Sequence, residues 1–152
     1  MRRKDKEIQS DSDIRAIIRD ARVCRLAMSE NNRPYVVPLC FGCRNDSLYL
    51  HCAGEGRKLD ILRSNPCVCF EFDTDVDIRP SENACNWSMK YRSVIGFGKA
   101  VFVKSPEEKQ TALDIICRQY APSRSFEFPE KSVNRTTIIR VDIESITGKQ
   151  DA

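Results

Sequence analysis

The residues best suited to chemistry lie between Leu50 and Asp60, where an apolar run gives way to a glycine-containing loop and then to Arg57 and Lys58. This order predicts a strand, a loop and a helix that begins at Arg57. The first turn of a helix offers unpaired backbone N–H groups and the positive end of the helix dipole, so it favours phosphate. Two cations there oppose the dipole, and a nearby anion would offset that conflict. The segment indicates a phosphate site; the alternative is a pair of solvated surface cations.

A second segment begins at Trp87 and combines aromatic with polar side chains on one predicted strand. Lys90, Arg92 and Ser93 lie close in sequence to Trp87 and Tyr91. Aromatic rings beside a fixed cation suit a flat ring system that carries a phosphate. An amphipathic edge strand with one wet face is the alternative, and the pattern alone does not choose between them.

His51 is the only histidine, and it stands at the end of a predicted strand beside the glycine-containing loop. A neutral imidazole donates a hydrogen bond or a proton near pH 7, so His51 is the candidate catalytic residue. A structural role is the alternative. The sequence gives His51 no partner for a Ser-His-Asp or Cys-His system, and it contains no P-loop and no Rossmann glycine fingerprint.

Eight cysteines are the other reactive groups. Cys40 and Cys43 form a C-x-x-C pair, but the pair lies in an apolar run and no second pair follows at zinc-ribbon spacing. We expect Cys67 and Cys69 to point to opposite faces of a strand. The sequence therefore predicts no metal site, and most of the cysteines are expected to be small, buried, reduced side chains. Redox sensing by these thiols is an alternative.

The elements that position these residues follow from the spacing of apolar side chains. Strands are predicted over residues 23–29, 35–43, 48–52, 67–73, 87–103 and 136–143, and helices over residues 13–21, 57–63 and 105–120. Short turns between strands favour antiparallel pairing, and Gly96 and Gly98 predict a bulge or bend of the kind that barrel closure requires. The predicted fold is mainly β, a six-stranded antiparallel barrel with a few helices and loops over residues 74–86 and 121–133.

Composition limits the classes of partner. The 152 residues suit a single domain over 1–152, with a flexible N-terminus over 1–10 and a C-terminal tail over 145–152. A net charge of +3 without a long basic run argues against nucleic acid. No apolar stretch is long enough for a transmembrane helix, and the N-terminus lacks the apolar run of a signal peptide. We therefore expect a cytoplasmic protein that binds neither nucleic acid nor membrane.

Residues 23–29, 34–39, 51–60 and 87–98 resemble the flavin-binding split-barrel proteins related to pyridoxamine 5′-phosphate oxidase. The most similar branch is that of the 5-nitroimidazole resistance proteins. The resemblance covers roughly residues 5 to 120 in matching order. It implies a six-stranded split β-barrel of the FMN-binding type, with FAD as a possible substitute, and a homodimer with flavin sites at the subunit interface.

The resemblance also implies which residues form the site. Arg57 and Lys58 would bind the flavin phosphate, and His51 would lie beside the flavin and act on the substrate. The other positions that match cofactor-binding segments are Val37, Pro38, Leu39, Cys52, Tyr91, Arg92, Ser93 and Val94.

The implied function is that of a flavin-dependent oxidoreductase. It would pass electrons from NAD(P)H or another donor to a small electrophile such as a nitroaromatic or a quinone. The alternative is a non-catalytic protein that stores or senses flavin or haem, in which His51 is the one histidine available as an axial ligand.

Overall fold

The computed structural model describes residues 2–151, and this part of the chain contains eight strands and four α-helices. The strands are β1 (Glu7–Ile8), β2 (Cys24–Glu30), β3 (Arg33–Leu39), β4 (Phe41–Arg44), β5 (Ser47–Cys52), β6 (Cys67–Arg79), β7 (Ser88–Val103) and β8 (Thr137–Asp151). The helices are α1 (Asp11–Asp20), α2 (Arg57–Ser64), α3 (Pro106–Tyr120) and α4 (Glu130–Arg135). None of these helices is long and apolar enough to cross a membrane.

The strands form one antiparallel sheet in the order β3–β2–β6–β7–β8–β5–β4, with β1 added beside β8. Strands β3 and β4 stand at the two ends of this path, yet Cys40 alone separates them in the chain. The sheet must therefore curl until its ends meet, which makes a barrel that is open between β3 and β4. The prediction of a mainly β, antiparallel split barrel is confirmed.

The strand count is eight, and the prediction of six was wrong. The segment predicted as one strand over 35–43 is divided at Cys40 into β3 and β4, and β1 is an additional edge strand. Strand β6 continues to Arg79 and so takes up part of the predicted 74–86 loop, while α4 lies mostly within the predicted 121–133 loop.

The two predicted chain ends also differ from the structure. Residues 145–151 are not a tail, because β8 pairs with β7 as far as Asp151. Within the predicted N-terminal segment, Glu7 and Ile8 pair with Lys149 and Gly148 of β8. Residues 1 and 152, which those predictions included, lie outside the described residues.

Alternate side chains of the strands fill the barrel. On β7, Val94 and Ala100 are buried, whereas Ile95 and Phe97 between them are exposed on the outer face. A Cβ added to Gly96 would lie 2.1 Å from the ring of Phe70, so only glycine fits beneath that ring. The β7–β8 register shifts between Phe97 and Gly98, which confirms the predicted irregularity in this strand.

Candidate functional site

The N-terminus of α2 is open to an anion. Gly56 precedes the helix with a φ of 129°, a value that other residues rarely adopt. Its carbonyl accepts hydrogen bonds from the amides of Leu59 and Asp60, and no side chain in the described part of the chain caps the helix. Within residues 2–151 the amides of Arg57 and Lys58 find no backbone partner. These free N–H groups and the helix dipole favour a negatively charged ligand at this point.

Arg57 is positioned by an aromatic ring. Its guanidinium carbon lies 4.7 Å from the centroid of the Tyr35 ring on β3. Tyr35 is half-buried and packs against the barrel core, whereas Arg57 is exposed. Neither Arg57 nor Lys58 forms an ion pair within the part of the chain that the structure describes. Both cations therefore keep their charge for a ligand.

Strand β5 ends beside this pair of cations. Cys52 is half-buried, and burial raises the pKa of its thiol while the Lys58 ammonium acts in the opposite direction. His51 precedes Cys52 and lies on the other face of the strand, where it is exposed. The Lys58 ammonium is thus near enough to Cys52 to act on its charge, and His51 lies at the same strand end.

The predicted residues of β3 divide between its two faces. Val37 and Leu39 are half-buried and pack against the core on the side that also carries Tyr35. Pro38 is exposed on the outer face of the barrel. Tyr35 itself was missed by sequence reasoning, although its alternation with Val37 and Leu39 places it on their face and next to the helix that follows β5.

The segment from Tyr91 to Val94 lies elsewhere in the single chain. Val36 is next to Tyr35 on β3. If strand pairing is followed across the sheet from Val36 through β2 and β6, the residue reached on β7 is Phe97. Arg92 is five residues further along β7, a distance of about 17 Å at roughly 3.3 Å per residue. The structure of one chain does not bring this segment to the Arg57 cluster.

The cations near this second segment are paired with carboxylates. The Arg92 Nε atom donates to Asp75 Oδ2 at 2.6 Å. Arg25 pairs with Asp73 and also with Glu71, where its Nη1 atom lies 3.0 Å from Oε2. Arg92 and Arg25 border one cavity of about 370 Å³, together with Asp20, Arg22, Val23, Asp73, Thr74 and Asp75.

The other predicted residues of the segment have different surroundings. The Lys149 ammonium lies 5.6 Å from the centroid of the Tyr91 ring, and Ser93 is half-buried opposite Asp73. Val94 is fully buried in the core and pairs with β6 on one side and β8 on the other.

The cysteines are less buried than predicted. Of the eight, only Cys24 is buried, and burial raises the pKa of its thiol to about 12. Cys67 and Cys69 both lie on the outer face of β6, so the expectation of opposite faces was wrong: residues two apart on a strand share a face. Cys40 lies between β3 and β4 rather than within a strand. No group of three or more potential metal ligands occurs among residues 2–151.

The sequence of the chain matches the family model of pyridoxamine 5′-phosphate oxidase over residues 10–150. Among curated proteins, no sequence matches this chain. A crystal structure of a candidate 5-nitroimidazole antibiotic resistance protein from Bacteroides thetaiotaomicron VPI-5482 is similar, with a TM-score of 0.84 and 34% sequence identity. The match covers 96% of this chain and 90% of that one.

Two other solved structures share the fold at lower sequence identity. The flavocytochrome Anf3 from Azotobacter vinelandii has a TM-score of 0.85 and 19% identity, over 100% of this chain and 72% of that one. The FAD and haem binding protein from Mycobacterium smegmatis has a TM-score of 0.86 and 18% identity, over 96% of this chain and 73% of that one.

Proposed function

The chain belongs to the pyridoxamine 5′-phosphate oxidase family, and from this premise we propose that it binds FMN in a homodimer and reduces small electrophiles. The observation that carries the proposal is the pair of cations at the start of α2, where Arg57 and Lys58 have free amides and, among residues 2–151, no carboxylate partner. Such a site fits a phosphate monoester, because each charge-assisted hydrogen bond contributes about 1.5–3 kcal/mol. The names of similar proteins also refer to flavin, as FAD in one and as a flavocytochrome in another.

When bound, FMN supplies the redox chemistry, and the protein supplies binding, orientation and exclusion of water. Arg57 and Lys58 would hold the phosphate, and the β3 residues Val37, Pro38 and Leu39 would line the flavin ring. His51 is exposed at the end of β5, where its imidazole donates a hydrogen bond or a proton to the substrate as it is reduced. NAD(P)H is the proposed electron donor. The proposed acceptors are nitroaromatic compounds, in line with the name of the similar Bacteroides protein.

The homodimer is proposed from the outer face of β7. Trp87, just before the strand, and the β7 residues Met89, Ile95, Phe97 and Val101 are apolar and between 37% and 57% exposed. They form a stripe along the outer face that is interrupted by Ser93 and Lys99, and exposed apolar stripes are typical of a protein interface. In a symmetric dimer, two copies of this stripe would face each other with their strands running in opposite directions. This arrangement would bring the Tyr91–Val94 segment of each copy to the Arg57 end of its partner.

The first experiment identifies the cofactor. The purified protein is examined by absorbance spectroscopy, and the cofactor released on denaturation is identified by chromatography. We expect flavin bands and released FMN. A colourless protein that takes up no added FMN or FAD would overturn the proposal. A Soret band on addition of haem, lost in His51→Ala, would instead support the haem-binding alternative.

The second experiment measures turnover. FMN-loaded protein is mixed with NADPH and a 5-nitroimidazole without oxygen, and loss of the nitro absorbance is followed. We expect His51→Ala to lower the rate about 100-fold, the scale of a lost general acid, while His51→Gln retains a hydrogen-bond donor and loses less. Equal rates in all three proteins would remove His51 from the site.

The third experiment tests the homodimer with the only tryptophan of the chain. In a single chain, Trp87 lies ten residues along β7 from Phe97, about 33 Å at roughly 3.3 Å per residue. Light scattering should give twice the 17.4 kDa of the chain. FMN binding should then quench Trp87 fluorescence, because the proposed pairing would bring the partner's Trp87 to the same end of the site as its Tyr91–Val94 segment. A monomer, or a dimer with unquenched fluorescence, would contradict the proposed interface.

A further inference from the structure

The Tyr35–Arg57 stack differs from the other cation–aromatic contacts of the protein. At 4.7 Å it is the shortest of the four found among residues 2–151, and the other three lie between 5.6 and 5.8 Å. Its aromatic member is held by the barrel, because Tyr35 pairs with Met28 of β2 and packs against the core. Its cationic member is an exposed residue in the first turn of α2. A fixed ring therefore holds a side chain that would otherwise be mobile.

Stacking fixes a guanidinium without using its hydrogen-bond donors. The five N–H donors of Arg57 lie in the plane of the group, whereas its central carbon lies over the ring of Tyr35, which takes none of those donors. A carboxylate partner would occupy two of those donors and cancel the charge. Tyr35 does neither, so the edge of the guanidinium stays available to a phosphate.

We propose that Tyr35 is a positioning residue that holds Arg57 toward the flavin phosphate and thereby makes the site prefer FMN over riboflavin, which has no phosphate. The inference rests on the proposed flavin function. Lys58 carries a point charge on a flexible stem and lies over no aromatic ring of residues 2–151, so it attracts the phosphate without fixing its direction. Tyr35 acts only through Arg57, and its effect is confined to ligands that carry the phosphate.

The test compares dissociation constants for FMN and riboflavin in three proteins: the wild type, Tyr35→Leu and Tyr35→Phe. Binding is followed by quenching of flavin fluorescence. Loss of the ring in Tyr35→Leu should weaken FMN binding about 3- to 10-fold and leave riboflavin binding unchanged. Tyr35→Phe keeps an aromatic face and should restore the preference for FMN.

Each other outcome has a definite meaning. If the wild type binds neither flavin, the proposed function fails and the inference fails with it. If the wild type binds FMN but Tyr35→Leu binds it equally well, or loses both flavins equally, the positioning role is wrong and the flavin function stands.

A second variant covers the case in which Tyr35→Leu does not fold, as judged by circular dichroism. Arg57→Lys keeps the positive charge but lacks the planar face that stacks on the ring. It should reduce the preference for FMN by a similar factor. An unchanged preference in Arg57→Lys would overturn the inference.

Discussion

Two basic regions of the barrel use their cations in opposite ways. At the start of α2, Arg57 and Lys58 have no carboxylate partner among the described residues, and the guanidinium rests on the ring of Tyr35. Near the middle of β6 and β7, Arg25 and Arg92 are tied to three acidic residues, Glu71, Asp73 and Asp75. The cations of the first region are available to a ligand, whereas those of the second region are largely neutralised by carboxylates of the same chain.

The difference shows why counting basic residues in a sequence is a poor guide to an anion site. Both regions were predicted to hold the cofactor, the first from two cations in the first turn of a helix and the second from cations beside aromatic residues on a strand. A cation that pairs with an acid has part of its charge neutralised and some of its donors occupied, so it attracts a phosphate less strongly. Of these two regions, the α2 region therefore has the cations that are better placed, within one chain, to attract a phosphate.

The largest effect is expected from removing both free cations. Arg57→Ala combined with Lys58→Ala should weaken FMN binding about 100-fold or more, because two charge-assisted hydrogen bonds are lost. The matched control is Arg19→Ala combined with Arg118→Ala, which removes the same charge from cations paired with Asp20 and Asp114. Isothermal titration calorimetry with FMN measures the dissociation constants of the two double variants. Equal losses in the two double variants would mean that net charge, rather than this site, governs binding.

A smaller loss is expected when the α2 region is made to resemble the paired region. Gly54 has open space around its missing Cβ, so Gly54→Asp should be accommodated and would place a carboxylate near Arg57. We expect FMN affinity to fall about 3- to 10-fold, an order set by one partly screened charge. The helix itself should not be weakened, because acids favour its N-terminus. Gly54→Asn, which has the same size without the charge, should bind FMN like the wild type.

Local sequence patterns predicted the elements that frame these regions. The helix at Arg57, the alternation along β7 and the capping of α3, in which Ser105 Oγ accepts the Glu108 amide at 3.3 Å, all follow from neighbouring residues. The division of one predicted strand at Cys40 did not, because it depends on barrel closure, which brings the two ends of the sheet together.

Sequence analysis identified only those residues of the candidate site that are close to one another in sequence. His51, Cys52, Arg57 and Lys58 are close in sequence, and the Lys58 ammonium opposes the rise that burial causes in the pKa of Cys52. The stack on Tyr35 joins β3 to α2 and is set by how the barrel closes. The pairing of Arg92 with Asp75 depends on the irregular register that interrupts β6 after Thr74, which no local pattern specifies.

Breaking one pair in the second region should have a small effect on stability. Asp75→Asn removes the partner of Arg92, but both side chains are substantially exposed to solvent. Such a pair contributes at most about 1 kcal/mol to the free energy of unfolding, which urea titration measures. Glu82→Gln, at an exposed acid outside any ion pair of the described residues, should change nothing. A loss several times larger in Asp75→Asn would show that the pair holds the sheet together rather than merely neutralising Arg92.

The smallest effect concerns the pH dependence of stability at Glu71. Burial and the neighbouring Asp73 raise the pKa of Glu71 above its ordinary 4.5, against the pull of Arg25. The folded chain then holds this proton more tightly than the unfolded chain. Glu71 therefore stabilises the folded chain below pH 4.5, and this contribution is lost as the pH rises from 4.5 through the raised pKa of the folded chain. The free energy of unfolding of the wild type relative to Glu71→Gln should therefore fall as the pH rises through this interval.

Glu107 provides a control of opposite sign. Its pKa is lowered by the hydroxyl of Ser105, so its contribution to stability is present above its ordinary 4.5 and lost as the pH falls. The stability of the wild type relative to Glu107→Gln should thus rise with pH where the stability relative to Glu71→Gln falls. Urea unfolding across a pH series measures both. Slopes of the same sign would mean that Arg25 satisfies Glu71 fully, and the second region would then be a closed network in which no carboxylate lacks a cation.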